Sequence, residues 1–165
     1  MKYLLFLSVP LFALDQLTKW LVRQNIPYGG EIPIIPGFFS LVHAANTGAA
    51  FSMFTGNNMF FIGLASVALA VIIFFLIRDS RTRKREHHLN SLTRISFGLL
   101  ASGILGNLTD RILHGAVTDF LHFYIQQYAW PSFNVADSCI CIAAALLILG
   151  SLGSTRREEE STRRR

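Results

Sequence analysis

Charge is absent from Met59 to Ile77, a run of 19 residues, and again from Ser138 to Thr155, a run of 18. Nothing else in the chain limits its fold as strongly. A helix rises about 1.5 Å per residue, so about 20 apolar residues cross the roughly 30 Å hydrocarbon core of a bilayer. Both runs meet that length. The composition agrees, with 52% hydrophobic residues and a mean hydropathy of +0.42 over 165 residues.

Two further runs are shorter: Tyr3 to Leu14 holds 12 uncharged residues and Ile95 to Thr109 holds 15. Alone they suit a signal-peptide core or a buried helix. They reach spanning length when Asp15 and Lys19, or Asp110 and Arg111, are counted inside or at the edge of the membrane, facing a bundle interior or a water cavity. The Met1-Lys2 start resembles a cleavable leader, but no small-x-small site closes it. The apolar pattern instead continues through Leu17, Trp20, Leu21 and Val22. The expected fold is an all-α membrane protein of four transmembrane helices.

Orientation follows from Lys and Arg. None occurs between Asn25 and Asn58, or between His114 and Asn134. The 78–94 segment carries Arg78, Arg81, Arg83, Lys84, Arg85 and Arg94, and five arginines lie between Arg156 and Arg165. The positive-inside rule therefore puts both termini and the 78–94 loop in the cytoplasm, and loops 25–58 and 114–134 outside. Residues 1–155 read as one membrane domain, and 156–165 as a mobile, basic cytoplasmic tail. The pI of about 9.7 suits topology and anionic headgroups better than nucleic acid, because the basic residues flank spans. His87-His88 reads as a solvated face and Asp79 as a cytoplasmic-loop residue without a catalytic part. Cys139 and Cys141 point about 200° apart on one helix, too far round to bridge.

The outer loops look structured. Glu31 to His43 alternates strand-type residues with Pro and Gly, which predicts a small sheet lying on the membrane. Ala44 to Phe51 is rich in small residues. The second loop carries Phe120, Phe123, Tyr124, Tyr128 and Trp130, suited to anchoring at headgroup level. Polar residues of the spans gather at the same outer level. Asp15, Lys19 and Arg23 follow i, i+4, i+8. Gly103, Asn107, Asp110 and Arg111 follow i, i+4, i+7, i+8, on one stripe. A transport path needs polar groups through the whole thickness, whereas a site opening outward does not.

Several chemistries can be weighed. A Ser–Lys pair needs Lys19 beside Ser40, Ser52, Ser132 or Ser138, but Asp15 one turn away makes Lys19 an ion-pair partner more simply. The cysteines have no cation to stabilise a thiolate. His43, His114 and His122 are isolated, and no metal-ligand spacing appears. Asp119 and Asp137 remain, separated by 17 residues that can fold back and bring them together. Two close carboxylates cannot both ionise cheaply, so they can share one proton and act as acid and base. Helix capping by each Asp is the competing structural reading, and spacing alone leaves both open.

The ordered segments Asp15-Gln16-Leu17-Thr18-Lys19, Asn46-Thr47-Gly48-Ala49-Ala50-Phe51, Gly106-Asn107-Leu108-Thr109-Asp110-Arg111, Val117-Thr118-Asp119-Phe120 and Phe133-Asn134-Val135-Ala136-Asp137-Ser138 span nearly the whole chain. Together they resemble the bacterial lipoprotein signal peptidases (signal peptidase II). The resemblance implies a four-span inner-membrane aspartic peptidase with an outer sheet and a short interfacial helix. It further implies cleavage of prolipoproteins just before a diacylglyceryl-modified cysteine, with no cofactor or metal. Asp119 and Asp137 match the catalytic pair. Asn46, Asn107, Arg111 and Asn134 match residues that orient substrate and dyad, Asp15 matches a family polar position in the first span, and Asp15, Lys19, Gly103, Asp110 and Ala136 are likewise expected to bind or orient substrate. The family often shows Gly-Gly where Ser102-Gly103 stands here, a change small enough for helix packing. The implied partners are prolipoproteins and membrane lipids, with a monomeric enzyme and no nucleic acid. The rival expectations are a proton-coupled transporter relaying through Asp15, Asp110, Asp119 and Asp137, and a non-catalytic scaffold.

Overall fold

The computed structural model describes residues 4–48, 56–81 and 89–163. A π-helical turn, Leu4–Ser8, leads into α1 (Val9–Asn25), with Pro10 in the first turn, where its missing N–H leaves no bond unmade. Then follow β1 (Glu31–Ile35), β2 (Phe39–Asn46), α2 (Asn58–Arg81), α3 (Ser91–His114), β3 (Val117–Ile125), β4 (Tyr128–Ala129) and α4 (Val135–Arg163). The Asn90 side chain caps α3 by accepting from Thr93 N at 2.7 Å. Gly115 ends that helix in the left-handed region, at φ 76°, which turns the chain sharply into β3.

Four helices form where the runs predict them, and the segments between α1 and α2 and between α3 and α4 carry the strands. Three expectations change. α4 does not stop near residue 155 but continues to Arg163, so most of the expected tail is helical. Its Glu- and Arg-rich, Pro-free sequence favours that conformation. The second outer segment is also no simple aromatic anchor. It supplies β3 and β4 to one antiparallel sheet ordered β1-β2-β3-β4, in which β2 pairs with β3 across the intervening α2 and α3. No short interfacial helix occurs in the outer segments among the described residues, and 49–55, with the Ala49–Phe51 motif, lie outside them. The His87-His88 pair also lies outside.

Most of the loop aromatics are structural. Phe120 is buried against Val22 and Ile26, joining the end of α1 to the sheet. Phe123 stacks on Phe39 and Phe133 at centroid distances of 4.7 and 5.9 Å. Only Tyr128 and Trp130 stand well out from the surface, as anchors would.

Helix α3 is the hub, touching α1, α2, α4 and β3. It buries small residues, Gly98, Ala101, Ser102, Gly103 and Gly106, which let neighbours approach closely. α2 is its opposite. Its most apolar 18 residues have a mean hydropathy of 3.0, yet only 11% of them are buried. Leu64, Val67 and Phe74 point outward. An apolar helix that exposes its side chains is matched to hydrocarbon rather than water. Among the described residues α2 alone passes as a membrane span on both length and hydropathy; the apolar part of α4, Val135–Ser151, is shorter.

At the opposite end from the sheet, Asp79 belongs to α2 and not to a free loop. It is buried, pairs with Arg94 Nε at 2.9 Å and accepts from Leu89 N at 2.7 Å. It therefore fastens α2 to the start of α3. Cys139 is buried, Cys141 is exposed, and neither is bridged.

Candidate active site

Three local pieces of structure bring the two aspartates together. First, Asn134 precedes α4 as its N-cap. Its Oδ1 accepts from Asp137 N at 2.9 Å while Asp137 Oδ2 accepts from Asn134 N at 3.2 Å. This is a reciprocal capping box with Asp in the Glu position. The capping reading of Asp137 is thus correct as far as it goes. Second, the chain before α4 is stitched to β3: Phe120 N and Leu121 N both donate to Phe133 O, at 3.0 and 2.8 Å, and Phe133 N donates back to Leu121 O. Third, that stitch carries Asp119 to Asn134, whose Nδ2 donates to Asp119 Oδ1 at 2.7 Å. Asp119 lies inside a strand and caps no helix. Asn134 consequently touches both carboxylates, one with its side chain and the other with its backbone.

The remaining carboxylate oxygens are held by two more asparagines. Asn46, at the end of β2, donates to Asp119 Oδ2 at 3.0 Å, and its own Oδ1 accepts from Gly48 N. Asn107, on α3, donates to Asp137 Oδ1 at 2.7 Å. Every oxygen of the pair therefore accepts from a neutral amide. Burial, and next the neighbouring Asp137, push the Asp119 carboxyl up from 3.8 to about 7, against the lowering effect of the Asn46 and Asn134 bonds. Asp119 can therefore both hold and release a proton near neutrality.

Behind the pair lies a buried cluster of charge. Lys19 and Asp15 are essentially unexposed and pair at 2.9 Å. Lys19 also donates to Asn107 Oδ1 at 2.9 Å and lies 3.7 Å from Asp110. Among the described residues its bonded and ion-paired neighbours are thus carboxylates and an amide, and no serine. Ser40 bonds the Tyr124 hydroxyl and Ser138 the Asn134 carbonyl, while Ser52 falls outside the described residues. Asp110 accepts from Thr118 N at 2.9 Å and meets Arg23 at 3.4 Å, which fixes β3 against α1 and α3. Asp15 also accepts from Ala136 N at 2.8 Å, anchoring the first turn of α4. A Cβ on Gly103 would collide with the Ala136 carbonyl, and one on Gly106 would lie 2.5 Å from Asp15 Oδ2. Close helix approach is therefore part of the site.

The predicted stripe on α3 divides at its outer end. Gly103, Asn107 and Asp110 face α1 and α4, but Arg111, one residue or about 100° further round, turns away. Its Nη2 donates to Gly48 O at 2.7 Å, its Nη1 reaches Asn58 Oδ1 at 3.4 Å, and its guanidinium lies 4.4 Å from the Phe61 ring centre. Arg111 hydrogen-bonds neither aspartate. A cavity of about 250 Å³ opens beside it, lined by α2, α3 and α4 side chains including Phe61, Leu64, Ile104 and Ile140, with Asn107 and Arg111 as its polar members.

Sequence reasoning singled out the aspartates and asparagines. It did not assign parts to Gly106, Thr118, Asn58 or Gln16, whose Nε2 donates to Asp15 and to Gly106 O. Gly106 and Thr118 sit within matched segments and were open to being found there. Asn58 gives no signal, since an Asn before an apolar run reads as a cap. His43 is satisfied by the Ile26 carbonyl, His122 packs on Tyr124, and His114 closes α3.

The fold is that of bacterial membrane enzymes. One solved structure so described superposes with a TM-score of 0.83 and 30% identity, covering 94% of this chain and 90% of that one. A second gives 0.78 and 30%, covering 92% and 94%. The chain belongs to the signal peptidase II family, whose model, Signal peptidase (SPase) II, matches residues 7–153. It is similar to the lipoprotein signal peptidase of Symbiobacterium thermophilum, 43% identical over 87% of this chain and 90% of that one. It is also 42% identical to that of Nitratidesulfovibrio vulgaris, over 88% and 86%. The one from Bacillus pumilus is 35% identical, over 92% and 94%. Membership of a signal-peptide-cleaving protease family sets the transporter and scaffold readings aside.

Proposed function

We propose that the chain is an aspartic endopeptidase of the bacterial inner membrane, with Asp119 and Asp137 as its catalytic pair. Its substrates are prolipoproteins, and it cuts just before a diacylglyceryl-modified cysteine. One observation carries the reading: Asn134 bonds both the buried Asp119 carboxylate and the half-buried Asp137 carboxylate, and burial there, with the neighbouring Asp137, pushes the Asp119 carboxyl up to about 7. The relatives named above, called lipoprotein signal peptidases, support the substrate class.

In this reading the ionised carboxylate takes a proton from water as the water oxygen adds to the scissile carbonyl carbon. The protonated carboxyl meanwhile donates to the carbonyl oxygen. Collapse of the tetrahedral adduct breaks the C–N bond, the proton taken from water passes to the leaving nitrogen, and a hydroxyl proton of the adduct returns to the carboxylate that had donated, giving a carboxylic acid and an amine with the pair restored. Asn46, Asn107 and Asn134 orient the pair. Asp15, Lys19, Asp110, Gly103 and Ala136 hold α1, α3 and α4 at the spacing the pair requires, and Arg111 holds Gly48 and the start of α2. The helices cross the membrane as four spans with both termini in the cytoplasm, so the pair sits near the outer leaflet. There the acyl chains of a lipidated cysteine would hold it. Residues 1–155 act as one monomeric domain, with 156–165 cytoplasmic.

The test uses purified full-length protein in detergent, with one prolipoprotein supplied both with and without the diacylglyceryl group. Cleavage of the lipidated form alone, with the modified cysteine at the new N-terminus, is expected. Equal cleavage of both forms, or cleavage elsewhere, contradicts the substrate assignment.

A further inference from the structure

Resting on the aspartic-peptidase reading, we infer that Lys19 is a positioning residue of the site: its buried ammonium fixes the amide of Asn107 so that the NH2 faces Asp137 and keeps that carboxylate as the ionised partner. The geometry leaves Asn107 no alternative. An ammonium has only donors, so the atom of Asn107 lying 2.9 Å from Lys19 Nζ must be its carbonyl oxygen. The amide nitrogen is then directed at Asp137 Oδ1, at 2.7 Å. Without the ammonium, the amide is free to rotate and set its oxygen against the carboxylate.

Lys19 is suited to this part and to little else at the site. It has no exposed surface, so it cannot touch substrate. Its ammonium is held at 2.9 Å by both Asp15 and Asn107, with Asp110 at the longer distance of 3.7 Å. Asp15 and Asp110 are themselves tied to Ala136 N and Thr118 N, so the ammonium is held by the frame that seats α4 and β3. The titratable and charged groups that face Asp137 are Asp119 from β3, Asp15 and Lys19 from α1, and Arg111 from α3. Of the two cations, Lys19 alone reaches Asp137 through a hydrogen-bonded intermediary. Among the described residues neither amide donor of Asp119 is bonded directly to a cation: Asn46 and Asn134 accept from backbone N–H groups, and Arg111 meets the Asn46 side only through the Gly48 backbone. The difference assigns Asp137 as base and Asp119 as acid.

The experiment compares pH profiles of kcat and kcat/KM for the full chain and for Lys19→Gln, Asn107→Leu and the double variant, each per mole of folded enzyme. Lys19→Gln should lower kcat by roughly tenfold to a hundredfold with KM changed less than about twofold. It should move the acid limb, which reports ionisation of the base, up by about one pH unit or more. Asn107→Leu should move that limb the same way, and the double variant no further, since Lys19 acts through Asn107. A profile unchanged in Lys19→Gln, with only the amount of folded protein reduced, makes Lys19 merely structural and overturns the inference. Additive shifts in the double variant overturn it as well, because Lys19 would then act directly. If Lys19→Gln does not accumulate, Asn107→Leu decides alone, since it leaves the Lys19–Asp15 pair in place, and an unmoved acid limb overturns the inference. Active Asp119→Asn or Asp137→Asn variants would instead reject the underlying aspartic-peptidase reading, so the two failures are distinguishable.

Discussion

A single asparagine decides much of this site. Asn134 caps α4, accepts from Asp137 and donates to Asp119, so the carboxylate pair is built from an ordinary helix start joined to a strand. This explains why spacing alone left two readings of Asp137 open. A cap and the proposed catalytic carboxylate draw on the same residue, and only the tertiary placement of Asp119 separates them. The pair predicts a bell-shaped pH profile for cleavage. With Asp119 raised to about 7, the shared proton is present below that value and lost above it, so activity should fall as pH rises through the neutral range. A profile flat from pH 5 to about 9 would contradict a shared proton. Gly106→Ala is a second test at this scale. The added methyl would press on Asp15 Oδ2 and on Ala136 Cβ, at 2.5 and 3.1 Å. It should destabilise the protein by about 1–3 kcal/mol and lower cleavage per folded molecule, as measured by thermal unfolding and turnover.

Between elements, the legible and illegible parts of the fold separate by range. The four helices were legible because hydrophobic run length is local. The sheet was half legible: β1 and β2 show strand-type sequence, but β3 depends on β2 for its pairing across two intervening helices. That is why the aromatic second loop read as an anchor. Asp79 was misread for the same reason, because its partner Arg94 lies on the next helix. Asp79→Asn should therefore lower the melting temperature while cleavage per folded molecule stays normal, whereas an unchanged melting temperature would show the clasp to be idle. Arg111 makes the complementary case. Its planar head joins Gly48 and Asn58 while lying over Phe61. Arg111→Lys keeps the charge but cannot span both partners, so it should impair cleavage at normal membrane abundance. Full activity would reduce Arg111 to a topological charge.

At the scale of the whole molecule, burial is inverted with respect to a soluble protein. Among the described residues Lys19, Asp15, Asp110 and Asn134 are the largest of the fully buried side chains, while apolar side chains of α2 face outward. Apart from the Asp79–Arg94 clasp at the far end, the buried charges gather near the end capped by the sheet, which suits a site fed with water from one side of a bilayer. Cysteine labelling of intact cells should reach positions in 25–58 and 114–134 but not in 78–94. Labelling of 78–94 from outside would invert the molecule and place the pair in the wrong leaflet. The central claim is that Asp119 and Asp137 work as one unit, and cleavage of lipidated prolipoprotein by Asp119→Asn, Asp137→Asn and the double variant tests it most directly. Each single variant should bind substrate yet cleave none, with the double variant no worse than either. Near wild-type cleavage by either single variant would contradict the account and leave Asp137 as a helix cap only.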